Sequence, residues 1–183
     1  MTRARAFFSG LVFAVLIGGS AGTARAAEIK DFVGDYEGSA ITVQRQLYGL
    51  ESVRNRDMDV SIKTDAGGGF SITWTTTFLS RQADGEKKVR TTSVTFVPTG
   101  KPGVWRATVS GNPLVGRPLI WASLEDKSLT VNVVEVSESG NLATATYVRS
   151  LTKDGLKLEF QATQNGNRVR RIVGWLKRKD TKK

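Results

Sequence analysis

The chain has 183 residues, a length typical of one domain, and contains neither cysteine nor histidine. These absences exclude disulfides, thiol chemistry, cysteine-based zinc sites and any mechanism that needs an imidazole. The formal charge of +10 is unevenly placed: residues 27–167 balance 16 basic against 16 acidic side chains, whereas residues 168–183 hold eight basic residues and one acidic residue.

Residues 1–26 have the organisation of a secretory signal peptide. Arg3 and Arg5 form a basic start, and a run of 13 apolar or small residues follows. Ala24 and Ala26 then supply the small side chains that a signal peptidase requires. We predict cleavage after Ala26 and a periplasmic or secreted location. The alternative is an uncleaved membrane anchor, although the apolar run is shorter than the about 20 residues of a membrane span.

The remaining chain is typical of a succession of short strands. Turn signals recur at spacings near ten residues, with alternating apolar and polar residues between them. The clearest strand begins at Phe70, where Ile72 and Trp74 alternate with serine and threonine, a period of two that no helix has. Later, Asp154-Gly155 and Asn165-Gly166 predict tight hairpin turns.

We count about nine strands and predict an all-β antiparallel meander that closes into a barrel over residues 27–177. Short links favour pairing between sequence neighbours, and closure removes the exposed sheet edges. A two-sheet β-sandwich is the alternative. Residues 45–56 could hold one short helix, and residues 178–183 are predicted to form a flexible basic tail. An outer-membrane barrel is disfavoured, because the outward faces carry polar and charged residues.

The start of the first strand resembles that of lipocalins and other calycins. Gly34 and Tyr36 match a Gly-x-aromatic pattern that usually reads Gly-x-Trp in that family. The resemblance implies a closed barrel with a small apolar ligand in its cup. It also implies a late arginine, Arg171 or its neighbour Arg170, packed across the ring to cap one barrel end. The half from Trp121 to Lys177 is similar to exported bacterial proteins of unassigned function.

The aromatic residues of the predicted inward faces are the first candidate site. If the barrel is hollow, these side chains line a cup for a small apolar or amphipathic ligand; if it is not, they fill the core. Apolar residues in segments 45–56 and 110–118 could gate such a cup or plug one barrel end. The predicted cup residues are Phe70, Trp74, Phe78, Phe96, Trp105, Trp121 and Phe160.

The basic end of the chain is the second candidate site. Each lysine or arginine near an anionic membrane is worth about 1 kcal/mol, so this end could dock to anionic lipid, an envelope glycan or a protein partner. Nucleic acid is not expected, because the charge has no aromatic platform beside it. The predicted contact residues are Arg168, Arg170, Lys177, Arg178 and Lys179.

The sequence carries no recognisable catalytic constellation. The pairs Asp57/Asp59 and Asp35/Glu37 each lie on one strand face and could serve acid–base chemistry or a hard cation, but exposed strands commonly carry acids for solubility. We therefore predict a non-enzymatic ligand-binding barrel without a metal or cofactor. An envelope interaction module built on a packed barrel is the alternative, and a carboxylate-based hydrolase or isomerase is a third.

Overall fold

The protein is an all-β closed barrel of ten antiparallel strands, one more than the about nine predicted. The computed structural model describes residues 27–45, 51–79 and 87–179. Each strand pairs with its sequence neighbours, and the last strand closes on the first. The strands are β1 (Gly34–Arg45), β2 (Glu51–Thr64), β3 (Phe70–Leu79), β4 (Lys87–Pro98), β5 (Val104–Ala107), β6 (Leu119–Glu125), β7 (Ser128–Val136), β8 (Leu142–Leu151), β9 (Gly155–Gln164) and β10 (Asn167–Arg178).

Period-two alternation places the apolar side chains inside the barrel, as the sequence predicts. Met58, Val60 and Ile62 are buried, whereas Asp57 and Asp59 between them are exposed. The same pattern holds on β9, where Leu156, Leu158 and Phe160 are buried and the intervening Lys157 and Glu159 form an ion pair of 3.1 Å on the outer face. Burial of one flank of each strand is therefore what closes the sheet around a shared interior.

Within the described ranges, two short 3-10 helices accompany the strands. Ile29–Phe32 precedes β1 and carries the fully buried Phe32, and Pro113–Val115 lies between β5 and β6. The predicted hairpin at Asn165-Gly166 is present, and both residues have positive φ, 49° and 80°. Across the described ranges, no helix has the length and apolar character needed to cross a bilayer.

Several boundaries differ from those predicted. Residue 45 ends β1 and residues 51–56 begin β2, so these parts of the 45–56 segment are strand rather than helix. Strand β10 includes Arg178, one residue beyond the predicted end of the barrel. The predicted signal peptide, residues 1–26, lies outside the described residues, as do residues 46–50 and 180–183.

Candidate functional site

One end of the barrel interior is filled with side chains. Phe70 and Phe96 stack with ring centroids 4.8 Å apart, and Trp105 meets Phe70 edge-on at 5.2 Å. The indole Nε1 of Trp105 donates a hydrogen bond of 2.9 Å to the carbonyl of Gly68. These three predicted cup residues instead form packed core, because they contact one another and leave no space for a ligand between them.

The packed end is capped by a guanidinium on a tyrosine ring, as the calycin resemblance implies. The Arg178 guanidinium lies 5.0 Å from the ring centroid of the buried Tyr36 and donates to its hydroxyl at 2.8 Å. The Tyr36 hydroxyl donates in turn to the carbonyl of Phe32 at 2.7 Å. Burial raises the pKa of the Tyr36 phenol, and the nearby Arg178 opposes that rise. A Cβ on Gly34 would come within 2.9 Å of Arg178 Nη1, so glycine provides room for this contact.

The arginine in this cap is Arg178, and the prediction of Arg171 was wrong. The strand register places Tyr36 opposite Arg178, whereas Arg171 lies opposite Val43, seven residues further along β1. Arg171 is exposed on the outer face. The prediction failed because the pairing register of the first and last strands is a tertiary property, which a motif in one strand does not specify.

The other half of the barrel holds a cavity of about 520 Å³. It lies toward the barrel end that carries the β1–β2 and β3–β4 connections, opposite the packed end. The side chains around it come from strands β2, β3, β4, β8, β9 and β10. They are Arg56, Met58, Trp74, Thr76, Arg90, Thr92, Tyr147, Arg149, Leu158, Phe160, Arg170 and Ile172.

Aromatic rings line the inner part of this cavity. Trp74 on β3 and Tyr147 on β8 come from opposite walls of the barrel and approach to 5.6 Å between ring centroids. Tyr147 contacts Phe160 on the neighbouring strand at 4.5 Å. Trp74 and Phe160 are thus the two predicted cup residues that the structure places at the cavity.

Of the two remaining predicted cup residues, one faces outward and the other has a side chain that is not described. Trp121 is on the outward face of β6, whose inward residues are Ile120, Ala122 and Leu124. Its assignment to the cup was wrong, because the β6 register puts odd-numbered positions outside. The side chain of Phe78 lies outside the part of the chain whose side chains the structure describes.

The most unusual residue at the cavity is Arg149, which is 2% exposed. Its guanidinium carbon lies 5.7 Å from the ring centroids of both Trp74 and Tyr147, so the three groups form a nearly equilateral triangle. Atoms Nε and Nη1 are buried without a hydrogen-bond partner. Burial lowers the pKa of Arg149 to about 10, so the side chain remains a cation at neutral pH.

Three further arginines contribute to the cavity wall, and exposure increases outward. Arg56 and Arg170 are half-buried, and Arg90 is exposed. Burial raises the pKa of the Tyr147 phenol, while the charges of Arg149, Arg170 and Arg90 oppose that rise. Of the described residues that line the cavity, none is acidic. The cavity therefore combines an apolar aromatic interior with a positive electrostatic potential.

Period-two alternation contained the signal for the residues that sequence analysis missed. Along β8, Ala145, Tyr147, Arg149 and Leu151 occupy alternate positions, and the apolar members pack on the core. An arginine in such a row must point inward, which is an anomaly because charged residues are seldom buried without a partner. A cup predicted from aromatic residues alone leaves out this charge between the rings.

The predicted basic docking residues do not form one face. Arg170 points inward to the cavity, and Arg178 caps the packed end. Lys179 is paired with Glu37 at 3.3 Å and Asp59 at 3.2 Å, and these carboxylates raise its pKa. Arg168 and Lys177 are exposed.

The predicted gating segment 110–118 does not plug the barrel. Within it, Leu114 and Val115 are 81% and 68% exposed and point away from the interior. The Asn112 side chain accepts a hydrogen bond of 3.0 Å from the Leu114 amide and so fixes the turn locally.

A wider groove of about 1020 Å³ lies at the packed end. Its lining contains charged side chains of both signs, among them Asp31, Asp154, Lys127 and Lys153. The opposite charges of this lining can neutralise one another, whereas the described lining of the cavity is basic only. None of the described lining residues of the groove carries a buried polar atom without a hydrogen-bond partner.

The fold has counterparts among solved structures. No protein-family model and no curated protein sequence matches this chain. A protein of unknown function from the DUF3598 family of Nostoc punctiforme aligns with a TM-score of 0.56 and 16% identity, covering 84% of this chain and 50% of that protein. The S-type phycobiliprotein lyase of Guillardia theta aligns with a TM-score of 0.38 and 9% identity, covering 84% of this chain and 92% of the lyase. This chain spans about half the length of the Nostoc protein, and the alignment shows that the two share a fold.

The prediction that this chain is not an enzyme was wrong as an exclusion. The absence of cysteine and histidine removes particular mechanisms, and it does not remove enzymatic activity as a class.

Proposed function

We propose that this barrel binds a small amphipathic molecule in the cavity of its hollow half. The observation that carries the proposal is the asymmetry of the interior. One end is filled by Phe70, Phe96 and Trp105, and the other encloses about 520 Å³ beside Trp74 and Phe160. A barrel selected only for stability gains by filling its interior, since each unfilled volume costs dispersion energy and burial.

The size and chemistry of the cavity support a small organic ligand. Its volume lies within the range of about 300–1,000 Å³ that is usual for ligand sites. Met58, Leu158 and Ile172 supply aliphatic surface beside the rings, and Thr76 and Thr92 add hydroxyl groups. An apolar body with a polar group fits this lining better than a sugar or a peptide.

The proposal includes export of the protein, with the ligand bound outside the cytoplasm. The signal-peptide pattern of residues 1–26 supports export. The position of Ala27 is a second support, because its amide donates a hydrogen bond of 3.0 Å to the carbonyl of Asp126. Ala27 also packs against the hydrophobic core. Ala27, the first residue of the predicted mature chain, is thus part of the packed fold.

A fluorescence titration with the neutral dye N-phenylnaphthylamine tests the proposal. Thr92→Phe places a ring in the cavity, whereas Thr91→Phe places the same ring on the exposed outer face of the same strand. We expect the wild type to bind the dye, Thr92→Phe to weaken binding at least about tenfold, and Thr91→Phe to leave it unchanged. Absence of dye binding by the wild type, or equal binding by the two variants, would contradict the proposal.

A further inference from the structure

Building on the proposed function, we infer that the bound molecule is an organic anion and that its acidic group pairs with the guanidinium of Arg149. The acidic group lies deepest in the cavity, beside Trp74 and Tyr147, and the apolar body extends from it along the aliphatic wall. The ligand class is therefore a hydrophobic carboxylate, sulfonate or phosphate ester.

The first argument is the state of Arg149 itself. Its guanidinium is buried, charged at neutral pH and in contact with two aromatic rings. Ring contacts stabilise the charge, but they satisfy none of its N–H donors. Nε and Nη1 have no acceptor, and a buried donor without an acceptor is costly. An acidic ligand group would supply both the opposite charge and the acceptor atoms.

The second argument is that the described residues around the cavity offer Arg149 no partner of opposite charge. Buried charges in proteins are normally paired, yet the described lining residues include no carboxylate. The hydroxyl of Tyr147 does not provide the missing charge, because burial raises its pKa and keeps it protonated at neutral pH. No described residue of the cavity lining supplies the partner of Arg149, which favours a partner from outside the chain.

The third argument is the arrangement of charge along the cavity. Arg149 is buried at its inner part, Arg170 is half-buried and Arg90 is exposed. These charges attract an anion from solvent. The attraction becomes stronger toward the inner part of the cavity, because the effective dielectric constant is lower there. Leu158 and Ile172 add apolar surface to the cavity lining. A ligand that fits the cavity therefore needs apolar surface as well as charge. Inorganic phosphate satisfies only the charge.

Two matched dyes separate this inference from the proposed function. Anilinonaphthalene sulfonate and N-phenylnaphthylamine share their rings and differ in the sulfonate. We expect the wild type to prefer the sulfonate at least about tenfold. Arg149→Met should abolish that preference while retaining the neutral dye, and Arg149→Lys should keep part of it. Arg171→Met removes the same charge from the outer face and should change nothing.

Displacement of the bound sulfonate dye identifies the ligand class. Dodecanoate should displace it at lower concentration than dodecanol does, and inorganic phosphate should not displace it. Equal affinity of the wild type for the two dyes, or an unchanged preference in Arg149→Met, would overturn the inference while leaving the proposed function intact. Displacement of the dye by inorganic phosphate but not by dodecanoate would overturn the claim that the ligand is an organic anion. Failure of both dyes to bind would instead overturn the proposed function.

A second pair of variants guards against a folding defect in Arg149→Met. Arg170→Gln and Arg171→Gln alter adjacent residues of β10, the first beside the cavity and the second on the exposed face. We expect about a threefold or greater loss of sulfonate affinity in the first and none in the second. Equal affinity in the two variants would overturn the inference.

Discussion

Arg149 is the residue at which stability and the proposed function conflict. Burial disfavours the cation and lowers its pKa from the usual arginine value to about 10. At roughly 1.4 kcal/mol for each tenfold change in the protonation equilibrium, this difference amounts to about 3 kcal/mol of destabilisation at neutral pH. Contacts with the rings of Trp74 and Tyr147 offset part of it, by about 1–2 kcal/mol.

Replacement of Arg149 by methionine is therefore expected to stabilise the ligand-free protein. We predict a gain of about 1–2 kcal/mol in the free energy of unfolding at pH 7, measured by urea denaturation. A buried ion that served only to hold the fold together would give the opposite sign. A loss of stability in Arg149→Met, with the Arg171→Met control unchanged, would contradict the prediction.

The same pKa shift predicts how this gain varies with pH. Below about pH 10, Arg149 is charged in both the folded and the unfolded state, so the full penalty acts on the wild type. Above that pH the folded state loses the proton first, and the penalty declines as the pH rises toward the usual pKa of arginine. Tyr36 and Tyr147 act in the opposite sense. Their pKa values are raised in the folded state, so the folded protein loses stability above pH 10, where these phenols ionise more readily in the unfolded chain. The difference in unfolding free energy between Arg149→Met and the wild type should thus be constant between pH 7 and 9 and become smaller in more alkaline solution.

At the level of elements, the seam between β1 and β10 decides whether the barrel closes. Gly38 on β1 lies opposite Leu176 on β10, and a Cβ on Gly38 would overlap the carbonyl oxygen of Trp175. The Leu176 Cα would lie 2.9 Å from the same Cβ. The two backbones approach this closely only because glycine stands at the contact.

Gly38→Ala is expected to weaken the closing seam. We predict a loss of about 1–3 kcal/mol in unfolding free energy, since the backbone of β10 must move to admit the methyl group. Hydrogen exchange should accelerate first at the amides shared by β1 and β10. The control is Gly100→Ala, where a Cβ would meet nothing within 4 Å. Equal stability of the two variants would show that the seam tolerates the methyl group.

At the scale of the whole molecule, the barrel is built as two halves with separate tasks. Large aromatic side chains and the Arg178–Tyr36 cap seal one end, while threonines and arginines line the space at the other. Barrel diameter grows with strand number, and about eight strands are just wide enough to be filled by side chains. Ten strands enclose more volume than the side chains here occupy, which leaves room for the cavity.

Export of the whole chain is open to a direct test. We predict that the protein expressed with residues 1–26 intact accumulates outside the cytoplasm in a form that begins at Ala27, as measured by intact mass. Ala26→Arg should block processing, because it removes the small residue before the cleavage site. Arg25→Ala changes the adjacent residue and should be processed normally. Cytoplasmic accumulation of the uncleaved wild type would refute the predicted location.

Local patterns were sufficient to predict most of the strands, their antiparallel order and many of the inward-facing residues. Alternation assigned Met58, Val60 and Ile62 to the interior, and Asn165-Gly166 to a hairpin turn. Both features depend on neighbours in sequence, where strand geometry and turn conformation leave few choices. The Gly-x-aromatic start likewise anticipated Tyr36 as a capped ring, although not which arginine caps it.

What remained for the tertiary structure to decide was the use of the interior. Sequence analysis could assign Phe70, Trp74 and Phe96 to inward faces, but it could not separate packed core from cavity wall. That difference depends on barrel diameter and on which side chains meet across the lumen, as Trp74 and Tyr147 do. The pairing of Arg178 with Tyr36 and the isolation of Arg149 likewise arise from registers between distant strands. Such contacts join residues far apart in the chain, and only closure of the barrel brings them together.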